Sequence, residues 1–212
     1  MYLSRVEIDT RNRRKIKDLT RLTAFHNWVE SSFPNEVSQG IRRRKLWRID
    51  RLQGKDYLLI VSEQAPSIPE LEKYGVEKSG QVKDYTSFLE GLEEDKNYRF
   101  RITLNPVIAK IEVKGQQRGR IKPLVSVEEQ MQFLYDRSEK NGFRLQKDNF
   151  HITEREFVPY KQANGKLLRL NKVTYEGLLQ IVDKDIFIKT LTKGFGKKKA
   201  YGFGMMTVIP EA

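Results

Sequence analysis

One short pattern occurs twice in this chain and narrows its architecture more than anything else. Tyr2-Leu3-Ser4-Arg5-Val6-Glu7-Ile8-Asp9 opens the sequence, and Tyr98-Arg99-Phe100-Arg101-Ile102-Thr103-Leu104-Asn105 restarts it. In both, Tyr and Arg keep the same offset and apolar residues then alternate with polar ones. Period-2 alternation marks a strand with one buried face. A chain that begins the same strand twice is read as one structural unit used twice. The 212 residues leave room for two small domains.

The elements between the two copies fit that reading. Leu19, Leu22, Phe25, Val29 and Phe33 fall on one stripe at helical spacing, so a helix is expected from an Asp18 N-cap to Pro34. Leu46–Leu52, Gly54 and Tyr57–Val61 read as a hairpin. A short helical turn is expected near Glu70–Tyr74. In the second half, Ser126 and Glu129 form a capping box for a helix over Val127–Lys140, ended by Asn141-Gly142. Strands follow at Phe143–Lys147 and Phe150–Pro159. Asn164-Gly165 is the strongest hairpin signal in the sequence, and Val173–Val182 is the next strand. Asp183 caps a helix to about Lys193, and Gly204–Ile209 is a last strand. The predicted fold class is α+β: two tandem ferredoxin-like (RRM-like) domains with antiparallel sheets, over residues 1–92 and 97–212.

Charge points to the partner. The formal net charge is +12, with 40 Lys and Arg against 28 Asp and Glu. Segments 11–17, 42–51, 114–122, 161–172 and 193–199 hold 23 of those 40 cations in 45 positions. Such clustering favours a polyanion, nucleic acid ahead of a membrane. There is no Cys, and the two His, His26 and His151, are far apart, so neither a disulfide nor a metal centre is expected. No bilayer-spanning run and no signal-peptide core are present, so the expected setting is the cytoplasm, without a membrane partner.

Two features carry candidate chemistry. Gly194-Phe-Gly-Lys-Lys-Lys-Ala-Tyr-Gly-Phe-Gly204 places four glycines and a triple lysine in eleven residues. Successive backbone N–H groups there make an anion nest. Neither G-x-G-x-x-G nor the nucleotide P-loop pattern is present, which favours polymer phosphate over a nucleotide cofactor. The other feature is His26, within the apolar stripe of the first helix or on its border. It reads either as a core histidine with a satisfied hydrogen bond or as an acid–base group where the helix meets a cleft.

The ending Val173-Thr-Tyr-Glu-Gly-Leu-Leu-Gln-Ile-Val-Asp183, a helix, then Gly194-Phe-Gly-Lys-Lys-Lys-Ala-Tyr-Gly-Phe-Gly-Met-Met resembles the repeat-processing endoribonucleases of type I-E CRISPR systems, the CasE family. The opening strand, the helix bearing His26, Asn105-Pro106-Val107 and Asn141-Gly142-Phe143 agree in order, so the resemblance runs nearly the whole chain. It implies cofactor-free, metal-independent cleavage of precursor CRISPR RNA at the base of each repeat hairpin, giving 2′,3′-cyclic phosphate and 5′-hydroxyl ends. It implies as partners the CRISPR repeat RNA, precursor and mature, and the other subunits of the Cascade complex.

His26 matches the family's helix histidine. Many members carry a tyrosine three residues earlier, where this chain has Thr23, so the second catalytic role stays open between another tyrosine and a lysine. Lys161, Lys166 and Arg169 on the basic hairpin, Gly194, Gly196, Lys197, Lys199 and Gly202 in the glycine-rich loop, and Arg118 and Arg120 in a basic loop are the expected RNA contacts. The competing reading is a non-catalytic subunit that binds an RNA stem-loop.

Overall fold

A computed structural model describes residues 1–110, 119–161 and 165–211. The chain divides into two compact units. Met1–Leu92 is joined by Ile188–Met205 in the first, and Glu93–Phe187 by Met206 onward in the second.

The first unit runs β1 (Tyr2–Glu7), α1 (Arg13–Ile16), α2 (Leu22–Ser31), α3 (Pro34–Ser38), β2 (Lys45–Leu52), β3 (Lys55–Ser62), α4 (Ile68–Leu71), β4 (Gln81–Asp84) and α5 (Thr86–Glu90). Its sheet has the order β2-β3-β1-β4, antiparallel throughout, which is the ferredoxin-like arrangement. The β2–β3 hairpin turns on Gln53 and Gly54, both at positive φ, the geometry of a type I′ turn.

The stripe read from the sequence does bury α2, with a shift. Trp28, Val29 and Phe33 are in the core, while Leu22 and Phe25 pack partly buried against it. Each fully buried side chain of this size contributes roughly 1.5–3 kcal/mol. Trp28 is tied down further, since its indole N–H donates to the Leu71 carbonyl at 3.1 Å. The expected Asp18 N-cap is not used. Asn12 instead caps the short α1, accepting from the Lys15 N–H at 3.1 Å, and α2 starts at Leu22 behind Arg21 with no side-chain cap. Ile16, in α1, and Leu19, in the turn after it, also pack partly buried against the core.

The second unit runs β5 (Asn97–Leu104), β6 (Val107–Lys110), β7 (Arg120–Pro123), α6 (Val127–Tyr135), β8 (Phe143–Arg144), β9 (Phe150–Lys161), β10 (Leu167–Ile181), the start of α7 (Lys184–Lys193) and β11 (Met206–Pro210). Its sheet has the order β11-β5-β10-β8, with β9 also pairing β10. The capping box at Ser126 and Glu129 is formed, and Asp183 caps α7, accepting from the Ile186 N–H at 2.8 Å. The helix α6 ends at Tyr135, short of the expected Lys140; a 3₁₀ turn at Glu139–Asn141 leads to Gly142 at φ +83°.

One placement differs from the sequence reading. The glycine-rich segment, expected within the domain 97–212, packs with the first unit. Phe195, Phe203 and Met205 are buried, and the segment straddles β2, the edge strand of the first sheet. On one face Arg48, fully buried, donates to the Met205 carbonyl at 2.9 Å and pairs with Asp50 at 2.6 Å. On the other, Trp47 donates its indole N–H to the Ala200 carbonyl at 3.0 Å.

Candidate active site

The glycines of this segment serve packing as much as ligand access. Gly202 has φ +84°, and a Cβ there would meet the Trp47 ring at 2.8 Å. Gly204 has φ +83°, and its Cβ would lie 2.2 Å from the Phe195 carbonyl, which sits beside the Phe195 N–H to Gly204 carbonyl bond that closes the loop. Between them and the left-handed Lys198, a single turn over Lys199–Tyr201 is held in one orientation.

That turn completes a cleft of about 400 Å³, lined by His26, Glu30, Arg42, Arg43, Arg44, Lys45, Ala200 and Tyr201. The α2 helix supplies His26 and Glu30, one turn apart. The approach to β2 and its first residue supply the four cations, and the glycine-rich segment supplies the far wall. His26 and Tyr201 face each other with ring centroids 5.5 Å apart, tilted by 54°. His26 Nδ1 lies 3.9 Å from a Glu30 carboxylate oxygen, and the Ala200 backbone lines the cleft beside the ring.

The cations differ in what they are free to do. Lys45 is buried, with its ammonium on Glu36 at 2.8 Å and on Glu30 at 3.1 Å. Its charge is used up inside the fold. Arg42 and Arg44 are exposed; Arg42 lies 3.7 Å from Glu30. Arg43 Nη1 is buried without a hydrogen-bond partner, although Glu36 and Glu63 lie just beyond hydrogen-bond range at 3.9 Å and 3.8 Å from its guanidinium.

Burial lowers the His26 pKa below its ordinary 6.5; the nearby Arg42 and Lys45 charges push the same way, while the Glu30 charge and the Ala200 backbone oppose them. The ring is therefore neutral at pH 7 and able to accept a proton. We expect the His26 imidazole signals in an NMR titration, assigned by their loss in His26→Ala, to have a midpoint below 6.5. Glu30→Gln removes the one carboxylate that raises the value and moves the midpoint lower still; a midpoint above 6.5 in the wild type contradicts this electrostatic picture.

The other residues singled out in the sequence fall in several places. Thr23 is half-buried on α2, one turn before His26, and is not among the residues lining the cleft. Lys199 is half-buried, its ammonium donating to the Gly194 carbonyl at 2.9 Å; burial and the Arg44 charge both lower its pKa. Gly196 and Lys197 are exposed at the loop tip. Lys161, Lys166 and Arg169 are exposed on the β9–β10 hairpin of the second unit, and Arg120 is exposed on β7. Arg118 and Asn164 lie outside the described residues.

Reading the sequence singled out His26 but missed its neighbours. Arg42–Arg44 were visible as a charge run, a signal that usually means only a solvated face. Tyr201 was hidden among the aromatics of the glycine-rich segment, and only the fold brings it to His26.

The sequence pattern of the CRISPR associated protein family matches residues 1–210. The chain belongs to that family. Within it, the CRISPR-associated endoribonuclease Cse3 of Thermus thermophilus is 26% identical over 221 residues, covering 99% of this chain and all of the relative. The CRISPR system Cascade subunit CasE of Escherichia coli is 28% identical over 218 residues, with the same coverage. Among solved structures, Cse3 bound to a 19-nucleotide RNA superposes with a TM-score of 0.79 at 25% identity over 99% of both chains. The resemblance read from the glycine-rich ending is borne out, as is the α+β architecture with antiparallel sheets.

Proposed function

We propose that this protein is an endoribonuclease that cuts precursor CRISPR RNA at the base of each repeat stem-loop and stays on its product as a subunit of Cascade, in the cytoplasm. The observation that carries the reading is the cleft itself: a neutral helix histidine faced by a tyrosine and ringed by arginines. Relatives named as an endoribonuclease and as a Cascade subunit match over the full length of the chain, which supports the substrate and the assembly.

RNA carries its own nucleophile. When the 2′-hydroxyl lies in line with the phosphorus and the 5′-oxygen, the cut needs alignment, proton movement and relief of negative charge, and side chains suffice for all three. His26, neutral at pH 7, accepts the 2′-hydroxyl proton. The exposed Arg42 and Arg44, with the half-buried Arg43 between them, stabilise the crowded phosphorane. The expected products are a 2′,3′-cyclic phosphate and a 5′-hydroxyl. Gly196 and Lys197 at the loop tip hold backbone phosphate. Lys161, Lys166, Arg169, Arg118 and Arg120 supply further phosphate contacts from the second unit, so affinity falls steeply with salt.

The test is cognate repeat RNA incubated with the protein in excess EDTA, followed by end-group analysis. Cleavage at one position with cyclic-phosphate and 5′-hydroxyl ends is expected. No cleavage in EDTA, or 5′-phosphate ends, would overturn the proposal.

A further inference from the structure

Cutting by the 2′-hydroxyl moves two protons: one leaves the nucleophile and one must reach the departing 5′-oxygen, because an alkoxide is too basic to leave unprotonated. The lining of the cleft narrows the candidates for the second. Arginine does not give up its proton in proteins, which removes Arg42, Arg43 and Arg44. Lys45 is held by two carboxylates, and Glu30 is engaged by Arg42 and Lys45. Ala200 has no titratable group. Thr23 and Lys199 do not line the cleft.

We propose that Tyr201 is the general acid, delivering its phenolic proton to the 5′-oxygen while His26 takes the proton of the 2′-hydroxyl. The inference rests on the endoribonuclease reading above. In the step, the 2′-oxygen bonds to phosphorus and the bond from phosphorus to the 5′-oxygen breaks. One proton goes from the 2′-hydroxyl to His26 and one from Tyr201 to the leaving oxygen. Exchange with water then returns the imidazolium and the phenolate to their starting forms.

Two features suit Tyr201 to this role. A tyrosine hydroxyl can donate a proton, whereas partial burial pushes His26 towards its neutral, proton-accepting form. The backbone that carries the ring is also held in place. It sits between left-handed Lys198 and Gly202, its N–H bonds the Lys198 carbonyl at 2.9 Å, and the preceding carbonyl is held by Trp47. A catalytic group needs such a scaffold, because small misplacements are costly in rate.

The test pairs Tyr201→Phe, which keeps the ring and its packing, with two substrates: natural repeat RNA, and the same RNA with sulfur bridging the scissile phosphorus in place of the 5′-oxygen. A thiolate leaves without a proton, so it bypasses the general acid. On natural RNA we expect Tyr201→Phe to lower kcat roughly 10²–10⁴-fold, with KM little changed. On the sulfur-bridged RNA it should match the wild type, while His26→Ala stays slow on both. Wild-type rates for Tyr201→Phe on natural RNA, or a defect as large on the sulfur-bridged one, overturn the assignment. Recovery of His26→Ala instead reverses the two roles and also overturns it. Failure of the wild type on both substrates overturns the endoribonuclease reading first, and this inference with it.

Discussion

His26→Ala slows cleavage of the cognate stem-loop by roughly 10²–10⁴-fold, the usual contribution of a positioned acid–base group, while leaving its binding nearly intact. The split follows from what surrounds the imidazole. The cations available to phosphate are Arg42, Arg43 and Arg44, and none depends on His26 for its position. The ring is half-buried on the rim of the core, outside the set of side chains that fills it. Removing it therefore costs the fold little and the reaction much. Single-turnover rates read the first effect and RNA titration the second.

Lys45→Ala has the largest expected effect on stability. The ammonium is 1% exposed and bridges Glu36, itself 3% exposed, to Glu30. Deleting one partner strands a buried carboxylate, at a cost of about 3–5 kcal/mol. Replacing both partners by apolar residues of similar volume, Lys45→Met with Glu36→Leu, recovers most of that loss, because no charge is left unpaired. Denaturant melts of the three proteins check this, and equal losses in the single and double variants would contradict it.

The same pair sets an acid limit on stability. Burial raises the Glu36 pKa, but the Lys45 hydrogen bond, the Arg43 N–H and both positive charges outweigh it, and the net shift is downward from 4.5. A lowered carboxylate pKa stabilises the fold above the unfolded value and loses that contribution as pH falls through the folded one. Stability should therefore drop below about pH 4.5 in the wild type, and by less in the double variant.

Local signals carried most of the fold. Alternation at Tyr2–Asp9 and Tyr98–Asn105, the Ser126 capping box and the Asp183 cap each act within a few residues, and all formed. Asp18 is a sound N-cap by itself, yet Asn12 caps a separate short helix before it, and α2 starts only at Leu22. The glycine-rich segment reads as an open phosphate loop, yet its aromatics find their burial on β2 in the first unit, with Trp47 and Ala200 joined across a sequence separation of 153. For the site, the stripe leaves His26 open between a core residue and an acid–base group, and the resemblance to the family singles it out. Tyr201 was not legible, since nothing near it in the sequence distinguishes it from a packing aromatic.

The most direct test of the central claim is to measure, on one stem-loop in EDTA, the single-turnover rate and the Kd of the wild type and of His26→Ala. The geometry of the cleft predicts a rate lower by at least about 100-fold with a Kd within about threefold of the wild type, a shift below about 1 kcal/mol. Cleavage by His26→Ala at the wild-type rate would contradict it.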